Sequence, residues 1–85
     1  MRLIETSKFT KQRKKIKETH EKNALKKSIF SIMKNPESGK KLKGEFKELR
    51  SFSYTPKGQS RRLIYQMRED VLVLISFGPR EGSYK

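Results

Sequence analysis

Residues 61–77 read Arg-Arg-Leu-Ile-Tyr-Gln-Met-Arg-Glu-Asp-Val-Leu-Val-Leu-Ile-Ser-Phe, two apolar segments separated by a short charged turn. In residues 61–67 the odd-numbered positions from Leu63 onward are apolar or aromatic. This alternation predicts a β-strand with one buried face and places Arg62 on the other face. Residues 71–77 are apolar on both faces, which is typical of a strand in the interior of a sheet.

The segments outside this stretch extend the sheet. In residues 50–54, Phe52 and Tyr54 alternate with serines, which predicts another half-buried strand. Short turns join this strand and the two that follow it, so the three are expected to form an antiparallel meander. Residues 1–5 place two apolar side chains between charged ones and are predicted to form a short edge strand.

A first helix is predicted from Lys8 to about Thr19. Its apolar positions are Phe9 and Ile16, which lie seven residues apart and therefore on one face. This stripe is thin, so most of the helix surface is expected to be solvated. The break before the next helix is expected at His20 or Asn23.

The second helix is specified by four apolar residues at the i, i+4, i+7, i+8 spacing of a core-facing stripe: Leu25, Ile29, Ile32 and Met33. Asn35-Pro36 ends this helix, because the residue before proline is pushed out of the α region.

The order strand, helix, helix, strand, strand, strand predicts an α+β fold. A small antiparallel β-sheet, made of the N-terminal edge strand and the C-terminal meander, carries the helical hairpin on one face. Residues 1–85 are expected to form a single domain.

The composition excludes several classes of function. The absence of cysteine excludes disulfides, thiolate nucleophiles and cysteine-based metal sites. His20 is the only histidine, which excludes two-histidine acid–base catalysis. Glu69 and Asp70 are neighbours whose side chains diverge on an extended chain, so they are not expected to bind one metal ion together. No metal site and no small-molecule cofactor are therefore expected. The sequence also has neither a transmembrane segment nor a signal peptide, so we expect a cytoplasmic protein without a membrane partner.

The charge is strongly basic and unevenly distributed. The chain has 22 Lys and Arg against 9 Asp and Glu, a formal net charge of +13. Residues 1–47 carry 15 basic and 5 acidic residues, and nearly all of the basic ones are lysines. The remainder carries five arginines, whose planar guanidinium groups bind phosphate in a bidentate manner. This balance indicates a polyanionic partner, with the specific site in the C-terminal half.

The sequence resembles the RelE/ParE superfamily of type II toxin–antitoxin toxins. The resemblance rests on four features in order: Leu42-Lys43-Gly44, Arg62-Leu63-Ile64-Tyr65-Gln66, the apolar strand 71–77, and Gly78-Pro79-Arg80-Glu81 followed by Tyr84. It implies a small sheet with two packed helices. It also implies a metal-independent ribonuclease that cleaves mRNA on the ribosome and is neutralised by an antitoxin.

The resemblance assigns the catalytic roles to three residues. Arg62 and Arg80 match family arginines and would bind phosphate oxygens, whereas Tyr84 matches a C-terminal tyrosine that acts as a base or stacks on a nucleotide. Such a phenol acts as a base only if cations lower its pKa. The family's paired lysines are absent, because serines and aromatic residues occupy 51–54. The residues considered as replacement cations or further RNA-binding groups are Arg50, Lys57, Arg61, Lys43 and Lys47.

Two alternatives remain open at this level. One is a ParE-like toxin that inhibits DNA gyrase without cutting RNA, and the other is a basic nucleic-acid-binding domain without catalysis.

The partners expected for the favoured interpretation are mRNA, the ribosome with its rRNA, and a cognate acidic antitoxin that folds on binding. Phe9, Ile16 and Phe30 are expected to supply the apolar groove for that antitoxin.

Overall fold

The computed structural model describes residues 2–79. Its elements in chain order are β1 (Arg2–Glu5), α1 (Ser7–Lys14), α2 (Thr19–Lys34), β2 (Lys40–Lys41), β3 (Leu49–Tyr54), β4 (Arg61–Arg68) and β5 (Val71–Pro79). Short 3-10 turns at Pro36–Ser38, Gly44–Phe46 and Pro56–Gly58 connect them. The predicted helical hairpin and the three C-terminal strands are confirmed.

The five strands form one sheet in the order β1-β5-β4-β3-β2. Strands β3, β4 and β5 form the expected antiparallel meander. Strand β1 lies at the edge, as predicted, but it runs parallel to β5, with Arg2 opposite Val71 and Glu5 opposite Leu74. The prediction of a wholly antiparallel sheet is therefore wrong, and the sheet is mixed. The alternation of side chains indicates which face a strand buries but carries no information on its direction.

The break between the helices lies at residues 15–18, before the expected positions His20 and Asn23. Thr6 caps α1, because its Oγ1 accepts a hydrogen bond of 3.1 Å from the backbone N–H of Phe9. Ile16 follows the end of α1 and is only 8% exposed. It thus reaches the core from the connection between the helices, and the seven-residue spacing from Phe9 does not mark one helix face.

Both helices pack on the same face of the sheet and enclose a single core cluster. Its buried members are Phe9, Ile16, Leu25, Ile32, Leu63, Tyr65, Leu72, Leu74 and Phe77. The rings of Phe9 and Phe77 meet edge to face with centroids 5.2 Å apart, a favoured aromatic geometry. Phe52 and Tyr54 are partly buried against this cluster. Phe9, Ile16 and Phe30 do not form one apolar groove as expected, since Phe9 is fully buried and only Phe30, at 62%, is largely exposed.

A β-bulge allows β5 to contribute to the core along its whole length. Tyr65 pairs with Leu74 and Ile64 pairs with Ser76, which leaves Ile75 as an extra residue. In a regular strand, residues three apart point to opposite faces. Because of the bulge, Leu74 and Phe77 both belong to the core cluster.

Beyond the end of β1, side chains from the helical layer take over its hydrogen bonds to β5. The Thr6 hydroxyl donates to the carbonyl of Ile75 at 2.7 Å. The Gln12 side-chain amide donates to the carbonyl of Phe77 at 2.8 Å and accepts from the Phe77 N–H at 3.1 Å. Gln12 therefore replaces a strand neighbour next to Gly78-Pro79. No helix within residues 2–79 has the length and apolar character needed to cross a membrane.

Candidate nucleic-acid interface

The face of the sheet opposite the helices carries Arg62, which lies near the start of β4. Arg62 pairs with Ser53 and Ile64 pairs with Ser51, so these side chains share that face, whereas Leu63 and Tyr65 enter the core. The alternation in the sequence had predicted this placement of Arg62. Small serine side chains on β3 leave room beside the guanidinium group.

A pocket of about 360 Å³ occupies that room. The residues that line it are Lys40, Lys41, Leu42, Lys43, Ser51, Ser53 and Arg62. Four of these seven side chains are cations and two are hydroxyls, and no carboxylate belongs to the lining described for residues 2–79. We call this site the Arg62 pocket. Its chemistry fits a phosphodiester, which needs positive charge and hydrogen-bond donors at short range.

Two buried polar atoms at the pocket have no partner within the described part of the chain. They are Nε of Arg62 and Oγ of Ser51. A buried donor that makes no hydrogen bond destabilises a fold by about 1–3 kcal/mol. An anionic oxygen bound in the pocket would satisfy such donors, so this local cost is consistent with a ligand-binding site.

The lysines reach the pocket because the chain before β2 is held in place. The buried Tyr65 hydroxyl donates to the carbonyl of Pro36 at 2.6 Å and accepts from the Gly39 N–H at 2.9 Å. Arg50 donates from Nη1 to the carbonyl of Gly39 at 2.8 Å. Lys40 follows Gly39 directly, so these bonds fix the position from which β2 starts. Arg50 is thus a positioning residue in this arrangement.

Two other candidate RNA-binding residues are held in ion pairs with α2 or the segment before it. The Arg61 guanidinium lies 2.5 Å from a Glu21 carboxylate oxygen, and both side chains are partly buried. Lys57 Nζ lies 2.9 Å from Glu18 Oε1 on an exposed part of the surface. The positive charges of both residues are therefore paired with carboxylates of the protein itself.

The remaining two candidates, Lys43 and Lys47, line openings in the surface. Lys43 belongs to the Arg62 pocket. Lys47 lines a shallow neighbouring cleft of about 600 Å³, together with Lys41 and Arg68 among others. Of the three residues assigned to catalysis, Arg80 and Tyr84 lie outside the described residues, so the pocket is built here around Arg62 alone.

Lys40 and Lys41 were missed at the level of the sequence. Replacements for the family's paired lysines were expected at Arg50, Lys57 and Arg61, whereas these cations come from the neighbouring strand β2, where Lys40 lies opposite Ser51. A lysine pair directly after Gly39 was the available signal. Within residues 2–79, no three histidine, aspartate or glutamate side chains are grouped as a metal site would require.

The tyrosines of the described sheet are poor candidates for a general base. Burial raises the pKa of Tyr54 to about 12, although the nearby Arg61 opposes this effect. Burial also raises the pKa of Tyr65. A phenolate nucleophile or base would need the opposite shift.

Comparison with known protein families identifies the family to which the chain belongs. A family model described as the ParE-like toxin of type II bacterial toxin–antitoxin systems matches residues 3–85. The chain belongs to this family of ParE-like toxins. Among curated proteins, none matches its sequence.

Several solved structures share the fold of this ParE-like toxin. A chain of the intact E. coli RelBE toxin–antitoxin complex superposes with a TM-score of 0.75 at 25% identity, covering 94% of this chain and 96% of that one. A variant of E. coli RelE with two arginines replaced by alanine gives a TM-score of 0.74 at 26% identity in the free state, covering 96% and 85%. The same variant bound to a peptide of the antitoxin RelB gives 0.71 at 26% identity, covering 95% and 84%.

Proposed function

We propose that this toxin is a ribosome-dependent, metal-independent mRNA endonuclease that inhibits translation in the cytoplasm. The observation that carries the proposal is the Arg62 pocket, where Arg62, with a buried and unpartnered guanidinium nitrogen, lines a site together with three lysines. The likeness to RelE structures supports the same interpretation. The positive charge and the hydrogen-bond donors of the site suit an RNA phosphate.

In the proposed reaction, the ribose 2′-oxygen attacks the adjacent phosphorus while the bond from phosphorus to the 5′-oxygen breaks. The 2′-hydroxyl proton passes to a base, and the leaving 5′-oxygen receives a proton. Negative charge accumulates on the phosphate oxygens in the transition state, and Arg62 donates hydrogen bonds to them. By the family resemblance, Arg80 shares this task and Tyr84 takes part in proton transfer or stacks on a nucleotide.

Lys40, Lys41 and Lys43 take the place of the family's strand lysines in this proposal. They enter the same pocket as Arg62 from strand β2 and from the residue two positions after it. An ammonium group stabilises charge on a phosphate and is also able to donate a proton to a leaving oxygen. In this proposal the lysines come from β2 and its continuation, while Arg62 on β4 keeps its role at the phosphate.

An acidic antitoxin is the proposed protein partner, as RelB is for RelE in the solved complexes. A groove of about 390 Å³ between the helices offers a suitable surface. Its floor is apolar and its rim is cationic, with Ile16, Leu25 and Ile29 flanked by Arg13, Lys14, Lys22 and Lys26. This combination fits an amphipathic segment with acidic residues along its edges.

The test compares Arg62→Ala, Arg62→Lys and Arg2→Ala with the parent during induced expression in a bacterial host, with primer extension on a reporter transcript. Arg2 is an exposed arginine on the edge strand β1 and does not line the Arg62 pocket, so it is the matched control. We expect growth arrest and new in-frame 5′ ends for the parent and the control. Arg62→Ala should reduce cleavage by roughly 10²–10³-fold, since a preorganised donor to the transition state is lost. Intact A-site codons on translating ribosomes treated with purified parent protein would contradict the proposal.

Inhibition of DNA gyrase is the second candidate, because the matching family is described as ParE-like. It predicts growth arrest without new mRNA ends and loss of supercoiling by purified gyrase at saturating toxin. Unchanged supercoiling would exclude it. If neither growth nor supercoiling responded, a basic nucleic-acid-binding domain without catalysis would be the better description.

A further inference from the structure

A second cationic surface lies on α2, away from the Arg62 pocket. Phe30 is 62% exposed, the most exposed of the large hydrophobic side chains that the structure describes. It lines a shallow cleft of about 330 Å³ with Asn23, Lys26 and Lys27. We call this surface the Phe30 cleft. Helix α2 packs on the core face of the sheet, so the cleft and the Arg62 pocket are on opposite sides of the protein.

The residues of the Phe30 cleft form one continuous helix face. Positions 23, 26, 27 and 30 follow the i, i+3, i+4, i+7 spacing, and Lys34 continues the row. The ammonium of Lys34 lies 5.0 Å from the centre of the Phe30 ring. Lys27 and Lys34 are about 10 Å apart along the helix axis at 1.5 Å per residue. No carboxylate belongs to the cleft as described within residues 2–79.

We propose that the Phe30 cleft binds an unpaired segment of RNA, with one base stacked on the Phe30 ring. Lysines on both sides of the ring would contact the flanking phosphates, and the Asn23 amide is placed to hydrogen-bond a base edge. Stacking of a base on an aromatic ring, together with a basic surface along the backbone, is how proteins bind single strands without reading their sequence.

The composition of the cleft favours RNA over an acidic protein helix. An amphipathic helix needs a row of apolar anchors along its groove, as the groove between α1 and α2 offers. The Phe30 cleft offers one aromatic ring, and beside it the aliphatic stems of two lysines and one asparagine, with no second large apolar side chain. One ring matches the area of one base. The inference goes beyond the proposed endonuclease function, because it concerns docking and involves no cleavage.

The decisive probe is Phe30→Trp in an Arg62→Ala background. The chain contains no tryptophan, so the new indole is the only one and reports on its own surroundings. The titrants are a single-stranded RNA of about ten nucleotides and an abasic sugar–phosphate strand of equal length. Ile4→Trp, at an exposed edge position of β1, is the control. We expect RNA to quench the indole at position 30, with little quenching by the abasic strand and little in the control.

Affinity measurements separate stacking from charge. Phe30→Ala should weaken RNA binding by about five- to tenfold without changing the salt dependence, since no phosphate contact is removed. Lys26→Ala combined with Lys27→Ala should reduce the slope of log affinity against log salt by about 1.4. Equal quenching by RNA and the abasic strand, or unchanged affinity in Phe30→Ala, would overturn the proposal. So would quenching by an acidic amphipathic peptide but not by RNA. Because Arg62 is absent throughout, these results do not depend on whether the protein cleaves mRNA.

Discussion

Replacing Gln12 should destabilise the protein far more than its position on a mostly solvated helix implies. Its amide makes two hydrogen bonds with the backbone of Phe77, at 2.8 and 3.1 Å, in a partly buried setting. Each such bond contributes about 1 kcal/mol net. Gln12→Ala leaves both Phe77 groups without their partner, so we expect a loss of about 2 kcal/mol. For a domain of this size, that corresponds to a fall in Tm of roughly 8–16 °C.

The assay is urea unfolding followed by circular dichroism, with Gln66→Ala as the matched glutamine control. Gln66 makes a single exposed bond of 3.4 Å to Glu48, so its loss should change stability by less than about 0.5 kcal/mol. If Gln12→Ala were as stable as Gln66→Ala, the reasoning would be refuted.

Gln12→Glu provides a second test with a pH dependence. A carboxylate at this position still accepts from the Phe77 N–H but repels the Phe77 carbonyl that the amide now donates to. The pKa of the carboxyl should therefore be raised in the folded state. Relative to the parent, Gln12→Glu should be most stable below about pH 4, the usual range of a free carboxyl, and should lose stability as pH rises through the raised pKa. A stability difference independent of pH would contradict this.

Three further predictions concern tyrosines and one ion pair. Tyr65→Phe removes the hydroxyl that bonds two backbone groups next to β2, and should lower the free energy of unfolding by about 2 kcal/mol in a denaturant titration. Unchanged stability would show that these bonds are not formed. The pKa of Tyr54 is raised to about 12, so the folded state holds its proton longer than the unfolded state. Stability should fall between about pH 10 and 12, and Tyr54→Phe should reduce that fall. A double-mutant cycle of Arg61 and Glu21 should give about 1 kcal/mol of coupling, against nearly zero for the exposed pair of Lys57.

Much of the fold follows from local patterns in the sequence. The four-residue stripe of α2 and the alternation in β4 reflect burial of one face, which a periodicity of 3.6 or 2 records directly. The side of the sheet that carries Arg62 followed from the same alternation. The direction of β1 did not, because parallel and antiparallel edge strands bury their side chains in the same way.

The composition of the pocket depends on contacts between distant parts of the chain. Strand β2 has only two residues, both lysines, and exists because Lys40 and Lys41 pair with Ser51 and Arg50. No local pattern of burial marks such a segment. Similarly, the pairing of Arg61 with Glu21 joins residues 40 positions apart, so composition alone leaves this arginine free to bind RNA.

The extra residue in β5 has a consequence for how its sequence can change in length. If Ile75 were deleted, Leu74 would precede Ser76 directly, and each would keep its present partner on β4. The hydrogen bond from the Thr6 hydroxyl to the Ile75 carbonyl would be lost. A deletion in a regular strand turns every following side chain to the opposite face. Relatives one residue shorter at this point can thus retain the same sheet, and an alignment gap there is compatible with an intact core.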